Sequence, residues 1–451
     1  MGTVGINFGA ASSGQGFDVT STVTAILASQ QAIEAPWQGQ LTSLKAQDAV
    51  FTTLGTDLSA LTTAMQSLTD FSGVFAEKQG SSSDTNVLAL TSANTGATAG
   101  SHTIVVNQLA QTSSDYSDTL ANGTDTLSGN ITIQGHTITI DSSNNTLASL
   151  ASAINAADIG VNAGVITDTS GSRLSLVSGT GGAAGQLAIT SALTDATTST
   201  AIAFNTGQTG QDASLKVDGV TLTSGSNTVT TAIPGVTFQL LSTSASPVQV
   251  QITNNTSDVE TAVSKVVTAY NAVIKDINGQ EGNDSSGNAE PLFGSTTLAM
   301  LQNQLTSALI GGGASGSINS VTQLGIGFNQ DGTLTLNGDT LGNVLNSNFS
   351  DVTGFLQNSG SFGQTFVSAL NNLGTQAPNG AIYLAQQQNA AQEAALNLSI
   401  SNEDALLATE KTNLTTEMNT ANQILQSIPS QLNQVNEMYS AITGYNTGSG
   451  G

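Results

Sequence analysis

The sequence predicts an α+β multidomain protein: a helical coiled-coil leg built from both chain ends, with two inserted β-rich head domains. Three observations predict it. Apolar residues follow 3-4 spacing near each end of the 451-residue chain, the mark of a helical seam. Short alternating runs bounded by Gly, Ser and Asn fill the stretch between, as strands of small β domains do. Aromatic residues make up only 4% of the chain, too few for one large dense core, and at roughly 150 residues per domain the length suggests about three domains.

In chain order, Val19, Val23, Ile26, Leu27 and Ile33 give a weak amphipathic segment that needs a partner to order. Ala35-Pro36-Trp37 marks a break, because Pro disfavours the helical conformation at the residue before it. From Phe51, the residues Leu54, Leu58, Leu61, Met65 and Leu68 follow at spacings of 3, 4, 3, 4 and 3, and Leu41 and Leu44 extend the seam upstream. A helix over residues 38–69 is then about 45 Å long at about 1.5 Å per residue. After Phe71 the pattern changes to strands at Val87–Leu90 and Ile104–Val106. Ile131, Ile133, Ile138 and Ile140 alternate around Gln134-Gly135 as a hairpin with one buried face. Leu147, Leu150, Ala151 and Ile154 return briefly to helical spacing, and strands resume at 161–165, 174–177 and 187–189.

A second β stretch begins near Asp212, where Val217-Asp218-Gly219-Val220 is the strongest hairpin signal in the chain, since Asp-Gly suits the positive φ angles of a tight primed turn. Val236, Phe238 and Leu240, then Val248, Val250 and Ile252, alternate with polar residues. Ser257-Asp258-Val259-Glu260 reads as a capping box, opening a helix whose buried face is Val259, Val263, Val266, Val267, Tyr270 and Ile274. Shorter helices follow at 298–309 and 362–373, the latter closed by Gly374, with a hairpin around Asp331-Gly332 between them. The clearest pattern comes last: Leu414, Met418, Ala421, Leu425, Ile428, Leu432, Val435 and Tyr439 alternate spacings of 4 and 3 without a miss. Pro429 removes one helical hydrogen bond inside this seam, and the expectation is a kink or break near Ile428. The tail Asn446–Gly451 reads as disordered.

Two seamed segments at opposite ends each expose a stripe that cannot remain in water, so they should pack together and enclose the β modules as insertions. The expected organisation is terminal helical assembly segments (1–38 with 420–451), a helical leg (39–72 with 258–419), an inner β domain (73–115 with 205–257) and an outer β domain (116–204). The seam at Phe51–Leu68 reads as internal core. Residues 1–35 and about 420–445 are terminal, poor in charge and too thin for a core of their own, which favours packing between molecules. The candidate assembly residues are Phe17, Val19, Val23, Ile26 and Leu27 at one end, and Leu414, Met418, Leu425, Ile428, Leu432 and Val435 at the other.

Composition excludes several classes of function. With 7 Lys plus Arg against 31 Asp plus Glu, the formal net charge is −24 and only 8% of residues are charged. A surface so poor in cations cannot neutralise a phosphate backbone, so nucleic acid is not a partner, and anionic membrane surfaces repel it. The chain has no Cys, which removes thiol nucleophiles, thiolate zinc sites, iron–sulfur clusters and disulfides. No run of about 18 apolar residues exists to span a bilayer. The first Lys is Lys45, so the start of the chain lacks the basic region of a secretory signal peptide; the protein is cytoplasmic or exported without cleavage.

Catalytic signatures are missing too. His102 at the start of a strand and His136 in the Ile-rich hairpin are the two His of the chain; both read as surface or turn residues, and a Ser-His-Asp triad would need one of them. No Gly-x-Ser-x-Gly elbow or His-Glu-x-x-His helix occurs. Paired carboxylates for glycoside hydrolysis leave no linear signature, because they meet only in three dimensions. Gly179–Gly185 lacks the strand-before, helix-after context of a phosphate loop and reads as a flexible loop. Asn329-Gln330-Asp331-Gly332 resembles the start of a calcium loop but lacks the later acidic ligands. No catalytic, cofactor or metal residue is assigned.

These residues together resemble a family, the bacterial flagellar filament capping proteins or hook-associated protein 2. Gly16-Phe17-Asp18-Val19, followed by a helical stretch and Ala35-Pro36, is similar to its N-terminal signature, and Ile104–Ala110 to its first β-domain strand. Ile131–Ile140, Leu147–Asn155 and Val161–Val165 resemble the module shared with flagellins. Asp212–Leu240, Ala269-Tyr270-Asn271 and Leu324-Gly325-Ile326 with Asp331-Gly332-Thr333-Leu334 resemble the C-terminal half in order and spacing. There are departures: Ser295 stands where the family often has Asp, and Met418 where Phe is common. The resemblance implies a secreted, non-enzymatic cap without cofactor, exported unfolded through the flagellar type III pathway and assembled as a ring, commonly of five subunits, at the filament tip. It implies as partners further copies of itself, flagellin, hook–filament junction proteins and an export chaperone. A flagellin-like filament subunit or hook–filament junction protein, a surface adhesin, and an enzyme remain the alternatives.

Overall fold

The computed structural model describes residues 16–444; the expectation for the tail Asn446–Gly451 lies outside them. The described chain opens on α1 (Val19–Gln31) and α2 (Glu34–Thr69). There follow β1 (Lys78–Ser82), β2 (Leu88–Ala93), β3 (Gly100–Gln108), β4 (Thr112–Ser117), β5 (Leu127–Ser128), β6 (Asn130–Ile133) and β7 (His136–Thr139). After α3 (Leu147–Ala156) come β8 (Val161–Asp168), β9 (Gly171–Gly181), β10 (Ile189–Ser191), β11 (Leu193–Asp195), β12 (Thr200–Ile202) and β13 (Phe204–Gln208). β14 (Ala213–Val217), β15 (Val220–Ser224), β16 (Thr228–Ile233), β17 (Val236–Leu240) and β18 (Val248–Asn254) lead to α4 (Thr256–Gly279). The chain ends with α5 (Thr296–Ile310), β19 (Ile326–Phe328), β20 (Leu334–Leu336), α6 (Gly338–Gln357), α7 (Phe362–Leu373) and α8 (Ala381–Thr443).

Described residues up to Thr69 and from Val263 onward form one compact unit, and residues 70–262 form another. In the first, helical unit, Asp18 caps α1 by accepting the Ser21 amide at 3.1 Å. The break between α1 and α2 falls at Ala32–Ile33, just before the expected Pro36. Pro36 itself sits in the first turn of α2, where its missing N–H is one that no helical carbonyl would accept. The seam is the inner face of α2: Phe51, Leu54, Leu58, Leu61, Met65 and Leu68 are all at most 3% exposed. α2 runs antiparallel to α8, since Gln386 Nε2 donates to Thr52 Oγ1 at 3.3 Å and Asn389 Nδ2 to Asp48 Oδ1 at 2.8 Å. Phe362 stacks between Phe355 (5.0 Å between centroids) and Phe366 (5.4 Å) to close the core.

Two helix expectations are corrected, and one, the closure of α7 by Gly374, holds. Asn255, not Ser257, precedes the first turn of α4: its side-chain oxygen accepts the Asp258 amide at 3.3 Å, and its side-chain nitrogen donates to the Asp258 carboxylate. Gly374 does end α7, but in extended rather than left-handed conformation. α8 runs unbroken through Pro429 for 63 residues, because the loss of one internal hydrogen bond does not end a helix continued on both sides.

The β unit holds two separate cores. One is built by the sheets β1-β18-β3-β14-β15 and β16-β17-β2 around Leu88, Ile104, Leu215, Phe238 and Ile252. The other is built by α3 and the sheets β13-β4-β9-β8, β10-β6-β7 and β12-β11-β5 around Ile131, Leu150, Leu174 and Leu193. Both predicted tight hairpins form: Gln134 and Gly135 between β6 and β7, and Asp218 and Gly219 between β14 and β15, all take positive φ. β4 and β13, which the expected boundaries at 115/116 and 204/205 cut through or set apart, pair in one sheet of the second core. β4 escapes a hydrophobic reading because its inward residues are Ser113, Asp115 and Ser117, each at most 7% exposed. Burial pushes the Asp115 carboxyl above the ordinary carboxylate range, against a hydrogen bond with Thr206 that lowers it. The edge strand β8 is plugged at Ala163, whose amide donates to Asn155 Oδ1 at 2.7 Å and whose carbonyl accepts from Asn155 Nδ2 at 2.9 Å.

The glycine run 179–185 is packed, contrary to its reading as a flexible loop. Gly182 (φ +79°) donates its amide to the Gln111 carbonyl, and the Ala183 amide donates to Asp212 Oδ1 at 2.7 Å. A Cβ on Gly182 would come within 2.6 Å of Gly225 Cα and 2.4 Å of Asp212 Oδ1. These glycines join a strand of the second core to the turn after β15 beside the first. Gly182→Ala is therefore expected to cost about 1–3 kcal/mol, read as a lower urea midpoint for the β unit.

Candidate assembly interface

The predicted assembly residues fall into two groups. α1 lies along α8, held by the Phe17 amide donating to Asn422 Oδ1 at 2.9 Å and by Gln30 Nε2 donating to Glu410 Oε1 at 2.8 Å. Val19 (8% exposed) and Val23 (2%) are buried there, while Phe17, Ile26 and Leu27 are half-buried, as are Leu414, Met418, Leu425 and Ile428. This first group therefore packs largely within one chain. A Cβ on Gly16 would meet Asn422 Oδ1 at 1.9 Å, so a larger residue there would push aside the side chain that accepts the Phe17 amide.

Leu432 (47% exposed) and Val435 (55%) make the second group. The structure adds residues that the list of candidates missed: Ile424 (58%), Met438 (62%), Tyr439 (56%) and Ile442 (84%). Tyr439 already lay on the 4-3 seam, and Ile442 continues it by three. The end of α8 thus carries an exposed apolar stripe over residues 424–442, about 28 Å of helix at about 1.5 Å per residue. Monomeric proteins rarely display so continuous an apolar strip, and such strips mark interaction sites. One charged residue, Glu437, lies in this span, so in a chain of charge −24 the stripe itself is nearly neutral.

Alongside, α1 and α8 leave a groove of about 330 Å³ lined by Thr24, Leu27 and Ala28 on one side and Leu407, Ala408 and Lys411 on the other. Asp404 also lines this groove. Glu34, at the start of α2, is only 2% exposed, and burial pushes its carboxyl above the ordinary range, with Asp404 adding to the effect. The polar contacts that hold α1 came from Gln and Asn, residue types whose pairing no linear spacing reveals.

Elsewhere the candidates for chemistry have structural partners. His102 Nδ1 lies 2.6 Å from Asp218 Oδ2, and that contact holds the Asp218 carboxyl below its usual range. Asp331 accepts the Thr333 amide at 3.0 Å and its hydroxyl at 2.6 Å, so the calcium-like segment is a turn closing β19 onto β20. Among the described residues, no three His, Asp or Glu side chains are grouped to hold a metal ion, and no helix is long and apolar enough to cross a membrane.

Comparison with known proteins agrees with this architecture over most of the chain. Residues 15–113 match the family described as the flagellar hook-associated protein 2 N-terminus, and residues 210–442 its C-terminus. The chain is 30% identical over 369 residues to the flagellar hook-associated protein 2 of Escherichia coli K12, covering 75% of this chain and 78% of that protein. It is 29% identical over 331 residues to the B-type flagellar hook-associated protein 2 of Pseudomonas aeruginosa, covering 66% of this chain and 69% of that one. The crystal structure of the D1-D2-D3 domains of the flagellar cap protein FliD from Escherichia coli superposes with a TM-score of 0.57 at 27% identity, covering 76% of this chain and 99% of that one. Matches at both ends, flanking a β-rich middle, leave one assignment: the chain belongs to the flagellar hook-associated protein 2 family.

Proposed function

We propose that this protein caps the tip of a bacterial flagellar filament, as an oligomeric ring beneath which exported flagellin subunits fold and insert. The observation that carries the reading is the bare apolar stripe at the end of α8, in a chain whose family members include solved flagellar cap proteins. A helix of this composition gains little from its own propensity and becomes firm only when the stripe is covered. In this reading the terminal segments (1–38 with 420–451) line the filament end, the leg (39–72 with 258–419) sits in gaps of the helical lattice, and the β domains (73–115 with 205–257, and 116–204) form the exposed plate.

The cap works mechanically, without catalysis or cofactor. A closed ring, which we take as five subunits, cannot match a helical lattice at every position. One leg is always strained or open, and an arriving flagellin binds there and moves the cap on. Further partners in this reading are hook–filament junction proteins and an export chaperone that shields the α8 stripe before assembly, with export by the flagellar type III pathway.

The test is gene deletion with complementation. Cells lacking the protein should shed flagellin monomers into the medium and swim only when the full chain is restored, with immunogold label confined to filament tips. Label along the filament or at its base would instead favour a filament subunit or a junction protein.

A further inference from the structure

The chain passes between the two cores of the β unit twice, through residues 109–111 after β3 and residues 209–212 before β14. Two domains joined by linkers and a modest polar contact are expected to move against each other, and a hinge needs a few residues whose backbone angles are free to change. Here the crossing strands are themselves paired. Gln108 lies opposite Ser214, Gln111 opposite Gln211 and Ser114 opposite Gln208, so one antiparallel ribbon runs from the first core into the second. At its centre the Gln111 amide donates to the Gln211 carbonyl at 2.8 Å and the Gln211 amide to the Gln111 carbonyl at 3.1 Å.

Side chains from both cores grip this ribbon. From the first core, Asn227, in the turn between β15 and β16, accepts the Ala110 amide with Oδ1 at 2.7 Å and donates Nδ2 to the Ala110 carbonyl at 3.0 Å, spending both halves of its side-chain amide on one residue. From the second core, Gln186 Oε1 accepts the Gly210 amide at 2.9 Å, and the Gln186 carbonyl is in turn held by Gln134 Nε2 at 3.0 Å. The ribbon is also cross-braced: Gln108 Nε2 donates to the Asp212 carbonyl at 2.8 Å and Gln211 Nε2 to the Leu109 carbonyl at 3.3 Å. Ala110 and Gln111 therefore have both backbone groups engaged, which leaves no free hinge residue at the middle of the first crossing.

A third contact lies outside the ribbon. The end of β9 meets the turn after β15 backbone to backbone, where a Cβ on Gly181 would come within 2.7 Å of the Gly225 carbonyl oxygen. Beside it, the Gly182 amide donates to the Gln111 carbonyl at 3.2 Å, and Asp212, on the ribbon, accepts the Ala183 amide. A two-stranded ribbon by itself can bend across its width and twist along its length; a strut fixed beside it removes that freedom. We propose that the two cores turn as one rigid piece, with Asn227, Gln186 and the glycine run as the lock on their joint. Force on one core then reaches the other as a rotation of the whole β unit, not as a bend in the linkers.

The chain has no Cys, so two introduced thiols take spin labels without competition. Thr230→Cys on β16 and Ser152→Cys on α3 place one label on each core at exposed positions. In the labelled full chain, diluted into excess unlabelled chain to suppress signals between copies, pulsed electron spin resonance should read a single narrow distance distribution. Adding Asn227→Ala with Gln186→Ala, neither of which belongs to an apolar core, should at least double its width while circular dichroism stays that of the parent. Asn227→Ala alone should show part of that widening, which keeps the test decisive if the double variant fails to fold. A broad or two-peaked distribution in the labelled parent, or folded variants no wider than it, would overturn the proposal.

Discussion

Leu432→Asp combined with Val435→Asp is expected to abolish swimming while leaving the isolated protein's melting temperature within about 1–2 °C of the parent, as surface changes do. Both side chains are about half exposed on α8, so the isolated fold loses little when they become polar. In an assembly that covers them the loss is large: fully burying one such side chain contributes about 1.5–3 kcal/mol, and each buried, unpaired carboxylate adds a desolvation penalty. The readouts are swarm diameter and flagellin in the culture medium. Filaments of normal length would rule the stripe out as the assembly surface. Leu425→Asp with Ile428→Asp should have the same phenotype for a mixed reason, because those residues are half-buried in the region where α1 joins α8.

Phe362→Ala is expected to destabilise the helical unit by about 3–5 kcal/mol, the range for truncating a buried Phe. Phe362 is 4% exposed and lies between two rings at 5.0 and 5.4 Å, so truncation loses two stacked contacts as well as its own burial. Phe362→Leu, which keeps much of the volume, should recover most of the loss. Circular dichroism at 222 nm during urea titration reads both. An alanine variant within about 1 kcal/mol of the parent would show that the site collapses around the gap.

How far these features were legible depends on what carried them. The α2 seam and the final seam of α8 were plain because their apolar residues recur at regular spacing; the first tight hairpin was plain from the alternating Ile residues around Gln134-Gly135, and the second because Asp-Gly suits positive φ. α6 went unread: its kink at Asn348 divides the helical pattern into two short pieces. The first half of α8 was read only in part, because it meets α2 through Ile382, Gln386 and Asn389 rather than through a leucine ladder. β4 hid behind buried serines and an aspartate. At the candidate interface, the sequence named the residues but not their division, because the same 4-3 spacing serves a stripe covered by α1 and one left bare. Among the described residues the division falls near Asn422, which accepts the Phe17 amide.

The amide plug at Ala163 has a consequence for molecules crowded side by side. An open strand edge invites a neighbour's strand to zip onto it, main chain to main chain, and such seams can propagate into fibres. With Asn155 occupying both backbone groups at the middle of β8, head-to-head contact is steered towards side chains. Contacts of that kind can be exchanged one at a time, so neighbouring heads can shift past each other without fusing.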